Sequence, residues 1–276
     1  MDDATLRLTA FLTLFACMAV AQAVAPRRSL RFGYHRWPAN LGIIVIDILI
    51  VRLLFPVGAV GAALWAETNG AGLLHQVELS ATAEIVIAVI LLDLIIYTQH
   101  LIFHAVPLLW RLHSVHHADR DIDVTTGLRF HPIEIVLSML IKLSFVIALG
   151  APATAVLIFE IMLNGMAMFN HANVKLPKKV DAVIRQLLIT PDLHRIHHSI
   201  IPKETDSNFG FNLSIWDRMF GTWQAQPKLG HKKMIIGLQP LQQAPTHNLM
   251  YMLRLPFQGQ LSQYPKPDHE QERSDV

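Results

Sequence analysis

Residues 85–99 read IVIAVILLDLIIYTQ, and the next five, 100–104, read HLIFH. The first stretch is apolar but for Asp93 and its polar end, and with its flanks it approaches the ~20 residues that a bilayer crossing needs. His100 and His104 stand four apart, so on a helix they share one face. A membrane helix that ends in paired imidazoles decides the class: an all-α integral membrane bundle with a histidine-rich layer at one end.

Three further apolar runs surround it. Residues 8–25 (LTAFLTLFACMAVAQAVA) carry no charge, residues 41–65 carry Asp47 and Arg52, and residues 134–168 are too long for one crossing. The last contains Gly150-Ala151-Pro152 near its middle, and Gly and Pro stop helices. It therefore reads as a helical hairpin, with arms short for a full crossing. About four membrane-embedded helices or more follow. The 276-residue chain is 52% hydrophobic and 16% charged, against about 25% charged in soluble domains. Mean hydropathy is +0.37. A net charge of +2 gives no reason to expect nucleic acid as a partner, and the lone Cys17 excludes an internal disulfide framework and a thiolate zinc cluster.

Arg27, Arg28, Arg31 and Arg36 separate the first two runs, while loop 66–80 has no Lys or Arg; basic residues return after the third run and after the hairpin. By the positive-inside rule the N-terminus lies outside, 26–40 inside and 66–80 outside. Everything from about residue 100 is then cytoplasmic except the hairpin. Ala23-Val24-Ala25 resembles a signal-peptide cleavage site. The acidic start Met1-Asp2-Asp3, Pro26 and the charge pattern favour a retained helix. The expected divisions are 1–106 (membrane helices), 107–133 (cytoplasmic histidine segment), 134–168 (hairpin), 169–254 (cytoplasmic histidine cap) and 255–276 (flexible polar tail).

The chain has 15 histidines. His100 and His104 form H-x-x-x-H; His113, His116 and His117 form H-x-x-H-H; His194, His197 and His198 repeat it. His131 precedes the hairpin and His171 follows it. These ten gather on one side of a topology drawn without them. Neutral imidazole suits Fe, Zn, Cu and Ni. Eight to ten imidazoles exceed the needs of one ion and fit two. The H-E-x-x-H of metalloproteases and the Glu-x-x-His of soluble di-iron bundles are absent. An almost all-imidazole site leaves the metal charge open to O₂-derived anions. His35, His75, His231, His247 and His269 read as solvated or singly hydrogen-bonded side chains. The same imidazoles would serve a metal transport or storage protein, or a zinc hydrolase with Glu134 or Asp192 as its carboxylate.

HLIFH (100–104), HSVHH (113–117) and HRIHH (194–198), with RFHPIE (129–134), NHAN (170–173) and NFGFNLSIWDRMFGTW (208–223), resemble the fatty acid hydroxylase / sterol desaturase superfamily of membrane di-iron oxygenases over roughly 85–225. The resemblance implies two iron ions held by His100, His104, His113, His116, His117, His194, His197 and His198, with His171 and His131 as additional ligands and His131 the candidate for an outer position. Zinc can replace iron in purified protein. It implies O₂-dependent hydroxylation or desaturation of a lipid C–H bond, hydroxylation being the simpler outcome. The substrate, a sterol, fatty acyl chain, alkylglycerol or carotenoid, would enter from the bilayer beside the hairpin arms. A separate cytochrome b5-like or ferredoxin donor would supply electrons, at a bacterial inner membrane or endoplasmic reticulum.

Around these ligands, Asp93 lies two helical turns from His100 and reads either as an orienter of a ligand or as a packing contact. Glu134 and Asp192 flank His131 and His194 and are candidate acceptors for imidazole N–H groups. Asn170 and Asn173 are candidates for the same role or for a water ligand. Trp216, Asp217, Arg218 and Gly221-Thr222-Trp223 read as structural, Tyr97 and Gln99 as interfacial.

Overall fold

The computed structural model describes residues 3–259, all of its regular elements helical. The long helices are α1 (Asp3–Val24), α2 (Trp37–Leu54), α3 (Gly58–Asn69), α4 (Ala81–Ala105), α5 (Pro107–His117), α6 (Pro132–Leu149) and α7 (Ala153–His171). Shorter helices follow: α8 (Lys178–Ile184), α9 (Pro191–His197), α10 (Pro202–Thr205), α11 (Ile215–Met219), α12 (Gly230–Lys233) and α13 (Leu249–Arg254). Among the described residues, five stretches are long and apolar enough to cross a membrane: Asp3–Val24, Gly33–Gln76, Ala81–Ala105, Pro132–Leu149 and Ala153–His171. The chain is a multi-pass membrane protein.

The expected hairpin is α6 and α7. Gly150 at φ +65° closes α6, its N–H reaching Ile147 O and Val146 O, a left-handed position that glycine takes without a Cβ penalty. At the ~1.5 Å rise of an α-helix, the 18 and 19 residues of the arms span about 27 and 29 Å. The run 41–65, read as one crossing, is instead two helices. Pro56, which lacks an N–H to continue the ladder, and Gly58 at φ +59° divide α2 from α3.

Small side chains set the inner packing. Ala59, Ala63, Ala88, Ala155 and Val156 are fully buried where α3, α4, α6 and α7 meet, and such residues let membrane helices approach closely. Leu49, Leu53, Leu64 and Trp65 face outward. The first apolar run belongs to this fold: Gln22 of α1 accepts from Val124 N–H (3.1 Å) and Asn173 N–H (3.2 Å), and Pro26 pairs with Val174. Within the bundle, Arg7 and Lys142 both bind Glu160, at 2.5 and 3.0 Å, so neither cation is bare.

Helices α1, α4 and α7 end, and α2 and α6 begin, at the same pole of the bundle. Loops 25–36 and 106–131 and the segment that begins at 172 lie there, and part of that segment, 212–216, runs back along the flank of α4 to Asp93; 70–80 and 150–152 lie at the other pole. The start of the expected tail is ordered: Leu255–Phe257 form a 3-10 turn in which Leu255 and Pro256 are buried. The rest of that tail, from residue 260 and including His269, lies outside the described residues.

Candidate metal centre

Nine histidines converge at that pole in two groups. His100, His104, His113, His117 and His197 form one; His116, His171, His194 and His198 form the other, and within each group the candidate ligand atoms lie within 4.8 Å of one another. The two H-x-x-H-H motifs share their imidazoles between the groups in opposite senses. In the first, the i and i+4 members, His113 and His117, join the five and His116 joins the four. In the second, His194 and His198 join the four and His197 joins the five. Each motif straddles both groups, and the rings of His117 and His198 stack at 4.5 Å across the border.

The ring orientations are set from outside. His100 Nδ1–H donates to Phe209 O (2.8 Å), His197 Nδ1–H to Ser207 O (2.8 Å), His171 Nδ1–H to Ala167 O (2.7 Å) and His116 Nδ1–H to Arg129 O (3.2 Å). Glu134 Oε1 accepts from His113 Nδ1–H at 2.7 Å and Asp206 Oδ1 from His104 Nδ1–H at 3.1 Å. With the proton on Nδ1, Nε2 carries a lone pair. Those Nε2 atoms face each other: His100 to His113 at 3.1 Å, His100 to His197 at 3.0 Å, and His171 to His116 at 3.0 Å. Lone pairs that converge without a proton between them repel, unless a cation sits among them. Around an ion with metal–nitrogen bonds of about 2.1 Å, donors at right angles are about 3.0 Å apart. The donor set and its spacing fit a metal in each group.

Protonation does not compete. Burial pushes the His113 imidazole down to about 3, and burial with neighbouring imidazoles holds His116, His117, His194, His197 and His198 well below the usual value. The rings stay neutral, as ligands must be.

Residues 85–222, half of the chain, match the model of the family described as fatty acid hydroxylase. The chain belongs to the fatty acid hydroxylase family. It is 29% identical to ornithine lipid hydroxylase OlsE of Rhizobium tropici over 145 residues, 52% of this chain and 43% of that protein. It is 31% identical to the alkylglycerol monooxygenase of Xenopus tropicalis over 142 residues, and 26% identical to the human one over 147, each alignment covering 51% of this chain and 30% of the relative. The chain thus spans less than half the length of these relatives. No solved structure matches it.

In this member of the fatty acid hydroxylase family, His131 stands outside both groups. Its Nδ1 accepts from Ile133 N–H (3.2 Å) and caps α6, and its Nε2–H donates to Leu253 O (3.2 Å). Both nitrogens are engaged. Of the two carboxylates flanking histidine motifs, Glu134 does hold an imidazole, that of His113. Asp192 instead takes Arg27 (2.9 Å) and Arg195. Asp93 acts on the segment after α10: it accepts from Asn212 Nδ2 (2.8 Å), Leu213 N–H (3.2 Å) and Trp216 Nε1 (2.8 Å). Asp217 receives Phe209 N–H (2.7 Å) and Gly210 N–H (3.0 Å). Together they fix the segment whose Phe209 carbonyl orients His100. Asn170 donates to Phe211 O (3.1 Å) and Asn173 to Arg28 O (2.7 Å), neither to an imidazole. Tyr97 is buried and bonded to Thr222 at 2.9 Å, and Gln99 donates to Ser138 at 2.8 Å, so neither is simply interfacial. His35, His75 and His247 are exposed as expected, but His231 is buried.

A buried ionic network beside the histidines carries no motif in the sequence. Asp119, Asp121 and Asp123 lie buried around Arg36, which pairs with Asp119 and with Asp123 (2.5 Å). Asn40 links Thr125 (3.0 Å) to Arg129 Nη1 (3.0 Å), and Arg129 Nε donates to Val115 O (2.7 Å). Burial lowers the Arg129 guanidinium to about 10. Burial alone would raise the Asp119 carboxyl, yet Arg36 and Arg129 beside it hold it below the usual range. This network ties α2 to the loop that presents the Arg129 carbonyl to His116.

Proposed function

We propose that the nine grouped histidines hold two iron ions and that the chain is an O₂-dependent hydroxylase of a membrane lipid. The observation that carries the proposal is the convergence of imidazole nitrogens in two adjacent groups while Nδ1 of six of the nine rings is tied to carbonyls and carboxylates. The chemistry that bound iron supplies is reductive activation of O₂ for attack on an unactivated C–H bond. The balance is R–H + O₂ + 2 e⁻ + 2 H⁺ → R–OH + H₂O, with both electrons from a separate cytochrome b5-like or ferredoxin donor and the active pole on the cytoplasmic side.

The chain's own part is positional. Glu134 and Asp206 and the carbonyls of Arg129, Ala167, Ser207 and Phe209 keep six imidazoles in the tautomer that ligates, and such outer partners raise ligand basicity. Phe130 stacks on His116 at 4.4 Å, and Phe209 and Phe211 lie against His100 at 5.5 and 6.3 Å, walling the centre with apolar rings. The helices α4 and α7, which carry His100, His104 and His171, and α6 beside them are long and apolar enough to cross a membrane, which supports a substrate that reaches the centre as a lipid chain. The relatives' names, an ornithine lipid hydroxylase and alkylglycerol monooxygenases, support a polar lipid with an acyl or alkyl chain over a sterol, and hydroxylation over desaturation. A hydrolase reading is disfavoured, since Glu134 is bonded to the outer nitrogen of His113.

The test is mass spectrometry of lipids after turnover in nanodiscs with a reductase, an electron carrier and heavy-isotope O₂. One heavy oxygen per product lipid is expected. Oxygen from water, or a double bond without oxygen, overturns the assignment.

A further inference from the structure

The apolar exterior of this protein extends beyond its spanning helices. On α8 and the turn after it, Val180, Val183 and Leu187 are 44, 72 and 60% exposed; on α11 and its C-cap, Ile215, Met219 and Phe220 are 44, 63 and 54% exposed. These six belong to one surface. Ser214 N–H donates to Leu187 O (2.9 Å), Ser214 Oγ to Arg185 O (2.9 Å) and Arg218 Nη1 to Gln186 O (2.9 Å).

That surface is lashed to the flank of a spanning helix and not to its tip. Trp216 Nε1 and Leu213 N–H both reach Asp93 of α4, and Phe220 stacks on Tyr97 at 5.5 Å and 21°. Asp93 lies twelve residues before Ala105 in α4, about 18 Å down the helix at its ~1.5 Å rise. An apolar face held beside a membrane helix at that depth meets lipid. Its charges agree. Lys175, Lys178 and Lys179 are exposed just before and on α8, whereas the acid there, Asp181, is paired with Arg185.

We propose that α8 and α11 form a platform embedded in the leaflet at the histidine-bearing pole. The six apolar side chains enter the acyl boundary, and Lys175, Lys178 and Lys179 face anionic headgroups. Amphipathic elements with an apolar face and a basic rim lie in the interface in this way, and each cation near an anionic surface adds to the attraction. The platform steadies the segment from Phe209 to Trp216, and through the Phe209 carbonyl the ring of His100. The proposal rests on the multi-pass membrane character of the chain and not on its oxygenase chemistry, so either can fail alone.

The full-length protein tests it, with the exposed Cys17 changed to Ser and single nitroxide labels on Val183→Cys, Leu187→Cys, Met219→Cys and, as control, Lys232→Cys. In vesicles containing phosphatidylglycerol, the first three labels are expected to show an oxygen-to-nickel-chelate accessibility ratio several-fold above that of the control. Removing the anionic lipid should raise chelate access at Leu187→Cys, and Lys175→Gln/Lys178→Gln/Lys179→Gln should abolish that dependence. Chelate access equal to the control overturns the platform, and so does shielding from both colliders, which means a second copy or another protein covers the face. A Leu187→Cys label insensitive to anionic lipid before any lysine is changed overturns the headgroup contact.

Discussion

At the residue scale, the two histidines before and after the hairpin part company. His171 joins the four-histidine group, whereas His131 spends both nitrogens on Ile133 N–H and Leu253 O. His131→Ala is therefore expected to leave the metal count unchanged and cost about 1 kcal/mol as a lost helix cap, read by metal analysis beside thermal unfolding. A fall in metal content would make His131 a ligand. Glu134 works the other way. It touches no converging Nε2 but holds His113 from behind, and Glu134→Ala is expected to weaken metal affinity about 10- to 100-fold in a competitive chelator titration. The histidines themselves were legible, because spacings of three and four on a helix place side chains together. Their partners were not: Arg129, Ala167, Ser207 and Phe209 act through backbone carbonyls, which leave no mark on residue type. His231 misled as well. Nothing local distinguishes it from a solvated histidine, yet it is buried near Asp192, at 3.5 Å. Burial lowers its pKa to about 4. Between pH 6.5 and 4 the unfolded chain takes up a proton that the folded chain refuses, so stability falls as pH falls through that window. His231→Gln should flatten the change in melting temperature between pH 7 and pH 5; an unchanged slope would contradict the burial.

At the element scale, the hairpin was legible from Gly150 and Pro152, and the break between α2 and α3 had an equally plain signal in Pro56 and Gly58 that a continuous apolar run concealed. The division of each H-x-x-H-H motif between two groups was not legible. It depends on how α5 and α9 approach each other, and a single helix cannot reveal which of its imidazoles meets which neighbour. Gly127 shows how close these elements come. A Cβ there would lie 2.5 Å from Ala167 O and 3.2 Å from His171 Nδ1, the pair whose hydrogen bond orients His171. Gly127→Ala is expected to displace the end of α7, costing about 1–3 kcal/mol as overpacking and lowering metal retention in the four-histidine group. Normal stability and normal metal content together would show that the contact relaxes freely.

At the scale of the whole molecule, a lipid-facing bundle and a polar pole are joined by the buried ions around Arg36. The sequence hid them, because Asp119, Asp121 and Asp123 sit in a loop where acids are ordinarily solvated; only the return of α2 beside that loop encloses them. Removing one side of such a cluster leaves uncompensated buried charge. Arg36→Leu is accordingly expected to destabilise the protein by about 3–5 kcal/mol in denaturant unfolding, far more than a surface arginine would. The central claim, two metal ions held by nine imidazoles in groups of five and four, is tested most directly by counting. Protein loaded anaerobically with Fe²⁺ and desalted should retain two irons per chain, falling to about one in His116→Ala, which opens the four-histidine group, and to about one in His197→Ala, which opens the five. Retention of one iron or none by the unaltered protein, or two by both variants, would contradict the account.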